Sequence, residues 1–186
     1  MRHLTKKPLA IALALVLLLG LAVPAFAFDA QTSPQGLTVD GKTVACEKYN
    51  IDGRNYFMLR DLAALLNGTP SQFNVAYDAE RNAVVVTKGE AYTPDGTELH
   101  AGVDNSASTV ASPQTVYIDG EQAELTAYNI GGHNFFQLRE LGKTLGFYVH
   151  YDEKTNTASV DASDEDEAWD TGDAAQDNPR NADGIG

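Results

Sequence analysis

The chain has 186 residues, a single cysteine and a formal net charge of −13. That length suits one domain with appendages, and one thiol excludes an internal disulfide. The acidity argues against nucleic acid as a partner, because no basic patch is present to meet phosphates.

Residues 1–27 read as a signal peptide. Arg2, His3, Lys6 and Lys7 precede an apolar run from Leu9 to about Val23, Pro24 interrupts it, and Ala25-Phe26-Ala27 supplies the small residues a signal peptidase needs. The apolar character continues to Phe28, so an uncleaved anchor is the competing reading. Pro24 and the small-x-small site favour cleavage after Ala27. The chain is therefore expected to be secreted or extracellular and associated with the cell envelope, with no stable membrane span once the leader is removed. Residues 28–36 then read as a short N-terminal linker.

From Leu37 the chain alternates short strand signals with turns. Leu37 to Val39, Asp40-Gly41 and Lys42 to Val44 make a tight hairpin, since Asp-Gly tolerates the positive φ of such turns. Tyr49 to Ile51, Asp52-Gly53 and Arg54 to Phe57 make a second. Leu59, Leu62, Ala63, Leu65 and Leu66 fall at helical spacing, with Asn67-Gly68 as the stop. A last hairpin runs from Val75 to Thr87. Thr93-Pro94-Asp95-Gly96 is a turn, and 104–113 is a polar, Ser-rich connector expected to loop outside.

The same order then returns. Tyr49-Asn50-Ile51-Asp52-Gly53-Arg54-Asn55-Tyr56-Phe57-Met58-Leu59-Arg60-Asp61-Leu62 reappears 79 residues on as Tyr128-Asn129-Ile130-Gly131-Gly132-His133-Asn134-Phe135-Phe136-Gln137-Leu138-Arg139-Glu140-Leu141. Phe73 to Asp78 matches Phe147 to Asp152 at an offset of 74, so the first copy carries about five extra residues near Asn67 to Gln72. The fold class expected is α+β: two tandem similar units (37–99 and 115–161) of short antiparallel strands wrapped around one short helix each. Residues 162–186 hold Asp164-Glu165-Asp166-Glu167 and further aspartates against a single Arg180, without apolar period, and read as an acidic disordered tail.

The ordered motifs V-D-G, Y-N-I-x-G-x-N-Y/F-F-x-L-R-D/E-L and F-x-V-x-Y-D, present twice, resemble the copper amine oxidase N-terminal-like domain, or stalk domain, of exported bacterial proteins. The resemblance spans about Leu37 to Asp161. It implies a small antiparallel sheet curved round a helix, acting as an accessory module without the oxidase chemistry.

The residues agree on the chemistry. An amine oxidase makes its quinone from a tyrosine in an Asn-Tyr-Asp/Glu context, whereas Asn55-Tyr56 is followed by Phe57. His100, His133 and His150 lack the spacing of one metal site, and His133 and His150 stand where the other copy has Arg54 and Ala76. There is no D-x-D-x-D-G calcium loop and no G-x-S-x-G elbow. Cys46 aligns with Leu125, which marks a buried apolar position rather than a reactive thiol. No catalytic, cofactor-binding or metal residue is assigned, and no cofactor. The recurring carboxylates, Asp61 with Asp78 and Glu140 with Asp152, accompany Arg60 and Arg139; an arginine at each helix start is expected to bond a carboxylate or turn carbonyl of the neighbouring hairpin.

Phe57, Phe136 and Phe147 are expected in a core on the helix side, together with most of the tyrosines. Some of Tyr49, Tyr56, Tyr77, Tyr117, Tyr128, Tyr148 and Tyr151 would point outward to stack on sugars or a partner, and Trp169 in the tail is a second possible anchor. The function expected is a secreted, non-catalytic accessory or binding module of the bacterial cell surface, with a protein or cell-wall polysaccharide partner. The alternative is a small exported cell-wall-acting enzyme or inhibitor using acidic residues.

Overall fold

The structure is a computed structural model and describes residues 28–100 and 102–162. The leader, Trp169 and the acidic tail beyond Ala162 lie outside the described residues. Among the described residues the fold is α+β, mostly strands with two short helices.

In chain order the elements are β1 (Ala30–Thr32) in the expected linker, then β2 (Gly36–Val39), β3 (Lys42–Thr43), β4 (Lys48–Ile51), β5 (Arg54–Met58), α1 (Leu59–Leu65), β6 (Phe73–Asp78) and β7 (Ala83–Lys88) along the first sequence repeat. The second contains β8 (Val110–Ala111), β9 (Thr115–Ile118), β10 (Glu121–Ala123), β11 (Ala127–Ile130), β12 (His133–Gln137), α2 (Leu138–Leu145), β13 (Tyr148–Asp152) and β14 (Thr157–Asp161). Asp-Gly and Gly-Gly turns close four of the hairpins. Both central residues carry positive φ in each, for example 46° and 74° at Asp40-Gly41, and that twist suits a two-residue connection. Gly146 ends α2 in the left-handed region at φ 89°, while α1 ends at Leu66 in ordinary helical geometry.

Strand pairing crosses between the repeats in every sheet. The largest is six-stranded and antiparallel, in the order β1-β4-β5-β12-β11-β8. At its centre Phe57 pairs with Phe136, its own counterpart in the sequence repeat. The other two sheets have the orders β10-β9-β7-β6 and β13-β14-β2-β3. Each joins an early hairpin of one repeat to the last hairpin of the other, through the parallel pairs β7–β9 and β14–β2. Only antiparallel pairing was expected, because turn residues fix local partners and leave sheet-to-sheet docking unspecified.

Side chains alternate along β5 and β12, so the central sheet is buried on both faces. Phe57 and Phe136 face the main core, which holds Leu62, Leu66, Phe73, Leu141 and Phe147 and takes residues from both repeats. Tyr56, Met58 and Phe135 face a second, smaller core with Tyr49, Ile51 and Ile130. Two of the seven tyrosines considered for an outward role are thus interior: Tyr49 is 0% exposed and Tyr56 2%, on the face away from the helices.

The segment read as a linker and the connector expected to loop outside both take part in this packing. In the expected linker 28–36, β1 pairs with β4, and the Phe28 ring stands edge-on to Tyr128 at 4.8 Å. In the connector, Asn105 donates its N–H to the Tyr49 hydroxyl at 3.1 Å, Ser108 Oγ accepts the Gly131 N–H at 2.9 Å, and β8 pairs with β11. Their polar composition resembles a linker, yet backbone groups need no apolar side chain to join a sheet edge.

Candidate functional site

The histidines are not brought together. His100 Nε2 lies 3.0 Å from the Gly96 carbonyl oxygen, while His133 opens β12 and His150 sits in β13, both exposed. Among the described residues no three His, Cys, Asp or Glu side chains converge to hold a metal.

The recurring carboxylates are also dispersed. Asp78 is ion-paired with Arg81 at 3.2 Å and accepts the Glu80 and Arg81 N–H groups of its own turn. Asp152 accepts the Lys154 N–H, and the Thr155 hydroxyl and that N–H hold its carboxyl below the usual range. Glu140 Oε2 accepts the Thr126 N–H at 3.2 Å. Arg60 reaches neither Asp61 nor Asp78 but forms an ion pair with Asp95 in the loop after β7, which corrects the expected arginine–hairpin contact in the first repeat.

Asp61 is the exception. It is 1% exposed; its Oδ1 accepts the Leu99 N–H at 2.9 Å, and its Oδ2 is buried without a partner. Burial pushes its carboxyl up to about 6, reinforced by Glu47 and Glu98 and opposed by the Leu99 N–H and His100. Cys46 is buried beside it, and burial followed by the Asp61 charge pushes the thiol up to about 11. A thiol so raised is a poor nucleophile at neutral pH.

The loop after β7 closes this group. Asn67 holds Tyr92 by two bonds, its Nδ2 donating to the Tyr92 carbonyl at 2.9 Å and its Oδ1 accepting the Tyr92 N–H at 3.0 Å. Glu98 accepts from the Tyr92 hydroxyl and from the Asp95 and Gly96 N–H groups; burial pushes its carboxyl up, but these donors outweigh it and hold Glu98 below the usual range. The Tyr49 hydroxyl donates to Glu47, and burial with that contact pushes Tyr49 up to about 12.

A second candidate is the outer face of the β10-β9-β7-β6 sheet. Ala76, Val85, Tyr117 and Gln122 form one cross-strand row, with Ala76 and Gln122 exposed and Val85 and Tyr117 half-buried. The Arg81 guanidinium lies 5.8 Å from the Tyr117 ring centre. By the repeat, the equivalent row of the other mixed sheet is His150, Ser159, Thr38 and Thr43. That row is polar, and Thr38 donates its hydroxyl to Ser159 at 2.9 Å.

Two features escaped the sequence reading. The repeat begins earlier, because Ser33-Pro34-Gln35 returns as Ser112-Pro113-Gln114 at the same offset of 79. Ser33 Oγ donates to Asn55 Oδ1 at 2.8 Å and Ser112 Oγ to Asn134 Oδ1 at 3.1 Å, so each serine ties its entering strand to the second hairpin. Extending the alignment upstream would have found it. The burial of Asp61 carries no local signal, since the Leu99 N–H that it accepts is 38 residues away in sequence and Cys46 approaches from yet another segment.

No family model matches the chain, and neither a curated protein nor a solved structure matches it. Among the described residues no helix is long and apolar enough to cross a membrane.

Proposed function

We propose that this chain is a secreted, non-catalytic accessory or binding module of the bacterial cell surface, of stalk-domain type, with a wall polysaccharide or protein partner. Its two copies are read as similar units closed on each other at the Phe57–Phe136 pair. The observation that carries the binding reading is the difference between the two equivalent sheet faces. One presents Ala76, Val85 and Tyr117 where the other presents His150, Ser159 and Thr38. The fold tolerates polar residues in that row, so apolar and aromatic groups there are not a packing requirement. A half-exposed tyrosine flanked by Arg81 and Gln122 offers an apolar ring with hydrogen-bond donors beside it, which suits a sugar ring or a partner side chain.

The competing reading needs a carboxylate that substrate can reach. Asp61 has the shifted carboxyl of a functional acid, but it is sealed at 1% exposure. Asp78, Glu140 and Asp152 are each engaged by neighbouring backbone N–H groups.

The test is co-sedimentation of the secreted protein with purified Gram-positive cell walls. The double variant Val85→Ser/Tyr117→Thr, which copies the polar face, should weaken binding by about tenfold, as expected when an aromatic contact worth about 1.4 kcal/mol is lost. His150→Ala should leave binding unchanged, and no soluble wall fragments should appear. Release of fragments by the wild type would favour the enzyme. Equal binding by the double variant would remove this face from the proposal.

A further inference from the structure

Asp61 projects from α1 against the loop running from Tyr92 to Leu99, and among the described residues it is the buried α1 side chain that hydrogen-bonds this loop. Two further ties differ in kind: the Asn67–Tyr92 bonds are between neutral groups, and the Arg60–Asp95 pair is solvent-exposed. At the Asp61 contact Leu99 is held at φ 60°, a region that a side-chain-bearing residue enters only under constraint. The groups that face the carboxyl are Cys46 and Glu47 from the segment between β3 and β4, and Glu98 and His100 from the loop side.

An ionised Asp61 fits this environment poorly. It would carry a charge with one hydrogen bond to Oδ1, none to Oδ2, and two further carboxylates nearby. A protonated Asp61 keeps Oδ1 as acceptor for the Leu99 N–H and adds no charge. We propose that this contact is a proton-operated clasp: the loop from Tyr92 to Leu99 is held tightly on α1 while Asp61 carries its proton, and the grip weakens when Asp61 ionises. The sign follows from the raised carboxyl. The Leu99 N–H and His100 favour the charged form, but burial under the closed loop favours the proton and is the largest of these effects. The closed clasp therefore binds the proton more tightly than the open one, and its grip weakens as pH rises through about 6.

The test is native-state hydrogen exchange of the full chain at pH 5.0 and pH 7.5, each rate corrected for its intrinsic pH dependence. The Leu99 amide should be protected about tenfold more at the lower pH, since pH 5.0 lies one unit below the raised carboxyl and one unit corresponds to about a factor of ten. Asp61→Asn, which retains an acceptor for that amide without a charge, should show equal protection at both values. In Glu47→Gln the loss of protection should move to lower pH, because one facing like charge is gone. Equal Leu99 protection in the wild type at both pH values would overturn the proposal, as would a pH difference that survives in Asp61→Asn. Should Asp61→Asn not fold, the wild type and Glu47→Gln decide alone, and an unmoved transition in Glu47→Gln counts against it.

Discussion

Phe136→Ala should destabilise both repeats together. Phe136 is 1% exposed, faces the main core and pairs across the sheet with Phe57. Truncating a buried phenylalanine to alanine costs about 3–5 kcal/mol, because the cavity relaxes only partly. For a folded part of this size each kcal/mol moves the melting temperature by roughly 4 °C, so the loss should be about 12–20 °C. A substitution confined to one independent unit would unfold that unit alone. Here β7 has its inner partner in β9 and β2 in β14, so neither repeat retains complete sheets when the other opens. Calorimetry and far-UV circular dichroism should therefore show a single transition, shifted downward as a whole. In hydrogen exchange, Val86 in β7 and Val160 in β14 should lose protection by the same factor. The reasoning fails if the second repeat's strands exchange freely while β6, β7 and α1 keep wild-type protection. It fails equally if residues 37–99 expressed alone melt cooperatively near the full protein's temperature, since that fragment lacks β9, β12 and β14.

Asn55→Ala should cost about 1–2 kcal/mol, read as a melting shift of several degrees, because it removes the acceptor shared by Ser33 at 2.8 Å and Asn50 at 3.2 Å. Melting temperature should rise when pH falls from 7.5 to 5: the Asp61 carboxyl is raised from 3.8 to about 6, so its stabilising contribution is complete below the lower value and lost as pH passes the higher. That linkage is worth at most about 3 kcal/mol, and Asp61→Asn should flatten the dependence in this window. Protein recovered from culture medium or envelope should begin at Phe28 on N-terminal sequencing, and recovery of intact Met1 in membranes would support an anchor instead.

The strands and helices were legible because their signals are local. Asp-Gly at 40–41, 52–53 and 119–120 fixes hairpin turns through backbone conformation alone, and the leucine spacing after Leu59 and Leu138 fixes helices of two turns. The aromatic pattern was legible only in part. Alternation along Tyr56-Phe57-Met58 shows that successive residues face opposite ways, and a sheet with one wet face would expose Tyr56. What buries it is a second core capped by Phe28 and by a connector whose polar, Ser-rich composition gives no hint of packing. The parallel joints between hairpins were illegible for a related reason. They depend on which apolar faces meet after the hairpins form, a choice that no turn residue encodes.

Duplication also supplies a control that a single-copy fold lacks. Where the fold constrains a position, the copies agree: Asn55 and Asn134 receive the same serine bond, Tyr77 and Tyr151 donate to Asn82 and Asn156 at 2.9 and 3.0 Å, and Phe57 meets Phe136. Where equivalent positions differ in chemistry, the shared architecture cannot be the cause. Val85 against Ser159, Tyr117 against Thr38, and Cys46 against Leu125 are such differences, and all fall on one sheet face or beside Asp61. Cys46 lies beside Asp61, which is bonded to Leu99 in the loop after β7. Selection for stability alone would let both copies drift toward the same apolar-in, polar-out solution. A valine and a tyrosine left on one sheet face, and a buried acid kept beneath one loop, are instead departures that cost stability or solubility, and such departures concentrate where a protein does its work.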